Sequence, residues 1–89
     1  MESFRWNQWN VDHIAEHGIT PEEAEYVVEH ARPPYPERTA DNKRRVRGPA
    51  PDGRFIQVVY FYSPADTIYI IHARPLTENE KQALRRRMR

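Results

Sequence analysis

Residues 54–73 constrain the fold more than any other stretch. RFIQVVYFY, the break SPAD and TIYIIHA place two β-branched and aromatic runs on either side of a proline-bearing reversal. Runs of this composition, bounded by Pro, Asp and Ser, read as strands, here roughly 54–62 and 67–73, folded back on each other as a hairpin. The basic run KRRVRG at 43–48 precedes the reversal PAPDG and reads as a third strand. Such a sheet needs one face covered, so helices must flank it.

The flanking sequence supplies them. Asn7 can cap a helix to about residue 17, with Val11, Ile14 and Ala15 at i, i+3, i+4 and Gly18 as its stop. Thr20, Pro21 and Glu23 make a capping box for a second helix over 21–31, whose apolar stripe is Ala24, Val27, Val28 and Ala31. Pro33 and Pro34 end it. Thr77 and Glu80 repeat the box before a third helix from about 78, which closes in RRRMR, cations suited to a helix C-terminus and ending in a solvated tail. Phe4 and Trp6 suggest a short opening strand, Trp6 and Trp9 read as core anchors, and residues 33–42 read as an ordered surface loop. The order β-α-α-β-β-β-α is an α+β fold in one domain spanning residues 1–89.

Composition excludes several classes of chemistry. With no cysteine among 89 residues there is no disulfide, thiol nucleophile or Cys-ligated zinc. No apolar run is long enough for a membrane helix, and the opening MESFRWNQWN lacks a signal-peptide pattern, so a cytoplasmic protein is expected. The net charge of +1 conceals an asymmetry. Residues 1–31 carry one arginine against seven carboxylates, whereas residues 43–89 carry eleven cations against four acids. One half can therefore offer a positive face to phosphate.

Pairing Tyr62 with Thr67 and Gly48 with Arg54 sets Gln57 opposite both His72 and Arg45, and Phe55 opposite both Arg74 and Arg47. Lys43, Arg45, Arg47, Gln57, His72 and Arg74 then share one sheet face. Val46, Ile56, Val58, Tyr60, Tyr69, Ile71 and Ala73 form the opposite, core face. His72 and Arg74 suit RNA cleavage by attack of a ribose 2′-hydroxyl on its neighbouring phosphate. A histidine moves the protons, while Arg74, Arg47 and Arg45 stabilise charge on the phosphate. Tyr60, Tyr62 and Tyr69 could stack bases, although core packing suits them as well. HIAEH at 13–17 matches an inverted zinc-protease pattern but lacks a third ligand, so no metal or other cofactor is expected.

FRWN at 4–7 and EHGITPEEAEYVV at 16–28 resemble the F-x-W-(D/N)…K-H-G-(V/I)-(S/T)-x-E-E-A opening of BrnT toxins. The basic strand ending at Gly48, RFIQVVYF and HARPLTENE at 72–80 resemble that family's G…V-V-Y…I-S-A-R-x-A…E ending. The resemblance runs through nearly the whole chain in order. It implies a RelE-like ribonuclease fold, a curved antiparallel sheet flanked by helices. It also implies a type II toxin that cleaves RNA, free or on the ribosome, and is neutralised by a cognate antitoxin protein with a DNA-binding domain. Arg74 matches the family's A-R arginine, Glu80 its downstream glutamate, and His17 with Gly18 its H-G. Glu16 stands where the family has a basic residue, which removes a cation that could face RNA. His72 stands where it has serine, which supplies an acid/base candidate.

The expectation is a metal-independent endoribonuclease with His72, Arg74, Arg47 and Glu80 catalytic and Lys43, Arg45, Gln57 and His17 binding RNA. Two alternatives remain: a non-catalytic nucleic-acid- or ribosome-binding module of the same fold, and a protein-interaction domain working through its acidic helices.

Overall fold

A computed structural model describes residues 3–87 of the chain. Its elements are β1 (Phe4–Arg5), α1 (Gln8–Ala15), α2 (Pro21–Glu29), β2 (Glu37–Arg38), β3 (Arg44–Pro49), β4 (Phe55–Ser63), β5 (Thr67–Pro75) and α3 (Glu78–Arg87). The fold is α+β, with three helices and one five-stranded sheet in the order β1-β5-β4-β3-β2. The sheet is mixed rather than wholly antiparallel, because β1 runs parallel to β5. Those strands are separated by most of the chain, so no tight turn dictates their direction.

The capping signals act as the sequence suggests. The Asn7 side chain accepts the Asn10 N–H, and Asn10 returns a bond to the Asn7 N–H. Thr20 and Glu23 exchange the same pair of bonds, as do Thr77 and Glu80. Beyond α1, Gly18 takes φ +73°, a left-handed conformation that glycine adopts with no Cβ to clash. There the Ile19 N–H reaches Ile14 O and the Gly18 N–H reaches Ala15 O, the paired bonds of a Schellman stop.

Register departs from the simple hairpin reading. Ala50 N–H bonds Arg54 O, so the first reversal is tighter than expected and Arg47 stands opposite Gln57 rather than Phe55. The second reversal sets Ser63 opposite Thr67, one residue off the expected pairing, and this slip exchanges the faces near the turn. Ile68 and Ile70 therefore fill the core, whereas Tyr69, expected there, stacks on Phe61 across the other face. A β-bulge between Val59 and Tyr60 then adds a second slip, taking up Ile71 and restoring the expected alternation beyond it. Val59 faces His72 and Gln57 faces Arg74.

The core gathers Ile14, Ile19, Ala24 and Val27 against Val46, Ile56, Val58, Tyr60, Ile68, Ile70 and Ala73. Trp6 packs against it, but Trp9 is 56% exposed, because it lies away from the Ile14 side of a helix whose inward positions are few. Residues 33–42 hold more than a surface loop. They contribute β2 and a 3-10 turn at Ala40–Asn42, where Asp41 and Asn42 take the positive φ these side chains tolerate. The C-terminal arginines are not all a solvated tail either: Arg87 bonds Glu37 and the Tyr35 hydroxyl. The expected tail positions 88 and 89 lie outside the described residues. Among the described residues no helix is long and apolar enough to cross a membrane.

Candidate functional site

Cross-strand pairing builds the site. Arg45 and Arg47 on β3, Gln57 and Val59 on β4, and His72 and Arg74 on β5 occupy one face, because directly opposed residues point the same way. α1 lies along β5 where β1 gives out. The buried Asn10 amide donates to both Arg5 O and Ile70 O at 3.1 Å, fastening helix to strand. This anchorage sets His13 and His17, one helical turn apart, beside His72. The His17 and His72 ring centroids are 5.7 Å apart, edge to face, and those of His13 and His72 are 6.2 Å apart. Trp9 stacks on His13 at 4.8 Å with the rings almost parallel, extending the row into solvent.

Beside the imidazoles sits a clamp. Glu80 receives two bonds from Arg74, each 2.8 Å, and one of 3.1 Å from Arg47, while Arg47 also donates to Gln57. The Arg74 hydrogen bonds, aided by the Thr77 backbone N–H, hold the Glu80 carboxyl at about 2. Glu80 is therefore an anion at any physiological pH and fixes the two guanidiniums rather than carrying protons. Burial, the charge of Arg74 and the neighbouring His17 and His13 push His72 below its ordinary 6.5. A neutral imidazole at neutral pH can accept a proton.

Of the residues singled out in the sequence, His72, Arg74, Arg47, Gln57, Glu80 and His17 come together. Gln57 is only 6% exposed and supports Arg47 from beneath. Arg45 shares the face but is engaged by Glu37, and Lys43, just ahead of β3, has no carboxylate partner among the described residues. The three tyrosines do not form one platform: buried Tyr60 meets Tyr62 edge to face at 5.8 Å, Tyr62 is 42% exposed under the Arg44 guanidinium, and Tyr69 lies apart on Phe61. His13 and Trp9 belong to the site although the sequence reading gave them no part in it. The His13–His17 spacing was a usable signal, and what it lacked was a third imidazole, which the strand supplies. Among the described residues no three His, Cys, Asp or Glu side chains are grouped closely enough to hold a metal ion.

Fold and site together define a small α+β domain bearing an imidazole cluster beside a carboxylate-bridged arginine pair. Comparison with protein-family models, with curated proteins and with solved structures finds no match to this chain.

Proposed function

We propose that the protein is a metal-independent endoribonuclease, acting as the toxin of a type II toxin–antitoxin pair. The observation that carries this reading is the close approach of His17 and His72 next to Arg74. Neutral His72 takes the proton of a ribose 2′-hydroxyl, and the 2′-oxygen attacks the adjacent phosphorus. The bond from phosphorus to the 5′-oxygen breaks, and His17 delivers a proton to that leaving oxygen. The products are a 2′,3′-cyclic phosphate and a free 5′-hydroxyl. Arg74 and Arg47 hold the phosphoryl oxygens as charge grows on them, and Trp9 offers a flanking base an exposed face for stacking. A cytoplasmic setting, RNA as substrate and an antitoxin as partner follow from this reading and from the resemblance to BrnT toxins.

The test is cleavage of a model RNA in chelator across pH 5–9, a window of about two units either side of neutral. His72→Ala should lower the rate about 10²–10⁴-fold and remove one limb of the pH profile. Arg74→Ala should cost about 2.7–4 kcal/mol of transition-state stabilisation. Parental rate and profile in His72→Ala would sink the mechanism. A second reading, a non-catalytic nucleic-acid-binding module, draws support from Glu80, which already occupies both arginines. Retained RNA binding with no cleavage in the parent protein would select it.

A further inference from the structure

The outer edge of β3 is finished only at one end. Thr39 donates its N–H to Lys43 O across that edge, and Glu37 stands opposite Arg45. Hydrogen-bonding direction alternates along an antiparallel strand, so Arg47 and Pro49 turn their backbone groups outward too. The ladder has ended by then, because Tyr35, the residue that would continue it, gives its N–H to Arg32 O. Beside this bare edge opens a cavity of about 560 Å³ between α2 and α3. Val27, Ala31, Phe55 and Leu84 line it, with Arg32, Arg47 and Arg85 around them and no acidic residue. Arg47 is balanced by Glu80, but Arg32 and Arg85 are exposed and form no ion pair among the described residues.

We infer that this groove receives an extended segment of a partner protein in which acidic and apolar residues alternate, added as a further strand on the edge of β3. Three observations select that occupant. The unpaired backbone of Arg47 and the carbonyl of Pro49 ask for a strand rather than a helix. The apolar cavity takes the side chains on one face of that strand, since alternate residues point the same way. The uncompensated arginines require carboxylates, and they repel a basic segment. A volume of this size lies in the range of pockets that bury a ligand of several side chains, about 300–1,000 Å³. The inference does not rest on the ribonuclease reading, because Arg32 and Arg85 take no part in that chemistry.

A random-peptide phage library panned on the full chain tests it, with affinities of selected peptides measured by fluorescence anisotropy. Enriched sequences should alternate acidic and apolar residues. They should bind the Arg32→Glu/Arg85→Glu variant about tenfold more weakly or worse. Both substitutions are at exposed positions, so circular dichroism should show the variant folded. Bound peptide should slow hydrogen exchange at the Arg47 amide, which a merely electrostatic contact would not do. Panning that enriches nothing, sequences without acidic residues, or equal binding to the variant overturns the inference. A concentration-dependent dimer abolished by the same variant also overturns it, assigning the groove to a second copy of the chain.

Discussion

Protonating Glu80 would leave Arg47 and Arg74 close together with no anion between them, so the fold holds that carboxyl at about 2 against an ordinary 4.5. Its contribution to stability is complete above the ordinary value and disappears as pH falls through the folded one. The shift corresponds to at most about 3 kcal/mol, and solvent on the open side of the clamp reduces it to about 1–2 kcal/mol. Urea midpoints measured from pH 7 downwards should therefore fall for the parent as acid is added. Glu80→Gln should begin lower at neutral pH and converge with the parent near the folded value. Parallel curves at every pH would show that the clamp carries no stability. His72 adds a milder slope of the same sign. Its folded value lies below 6.5, so the unfolded chain takes up that proton first and stability declines as pH drops through this range. The residues of this cluster could be named from sequence, but their state could not. That Glu80 would sit on two arginines depends on where α3 crosses the sheet, which no local pattern encodes.

At the scale of elements, helix ends were readable and strand faces only partly so. Capping bonds are made within four residues of each other, so Asn7, Thr20 and Thr77 carry their own instructions. A bulge answers instead to packing between strands, and nothing in VVYFY marks the place where Val59 and Tyr60 break step. The two slips in the β4–β5 pairing cancel beyond the bulge, which is why Gln57 and Arg74 share a face as expected while Tyr69 and Ile71 do not join the core. β2 escaped notice because two residues give no alternation to detect. Two side chains hydrogen-bond α1 to the strands: the Tyr69 hydroxyl donates to the Asn7 cap, and Asn10 reaches inward. Asn10 is fully buried, and its amide satisfies two carbonyls on different strands. Asn10→Ala strands both acceptors in the interior and should cost about 1–3 kcal/mol. It should also loosen α1 enough to broaden the His13 and His17 ring signals relative to His72 in NMR spectra. A loss of stability with the imidazoles unmoved would mean that Ile14 packing and the Tyr69–Asn7 bond seat the helix without Asn10.

The charge asymmetry of the whole chain overstates the positive surface that RNA would meet. Arg45, Arg47, Arg54, Arg74, Lys81 and Arg87 all sit on carboxylates. Cations from the basic half are thus spent partly on acids from the other half, as where Arg54 reaches Glu23 from beyond the turn. Near the imidazoles, the Arg47–Glu80–Arg74 group carries one net positive charge, and Lys43, just ahead of β3, forms no ion pair among the described residues. Single-stranded RNA binding should then release few counterions. For about two neutralised phosphates the slope of log K against log salt is about −1.4. Glu80→Gln leaves both arginines available to phosphate, adding about one contact, so the slope should steepen by about 0.7 and affinity at low salt should rise. The measurement is anisotropy of a labelled 2′-O-methyl RNA, which lacks the attacking hydroxyl and so reports binding alone, from low to moderate salt. A parental slope steeper than about −3 would require cations from elsewhere on the molecule to reach the strand. An unchanged slope in Glu80→Gln would place the RNA away from the clamp, and with it the chemistry proposed for Arg74.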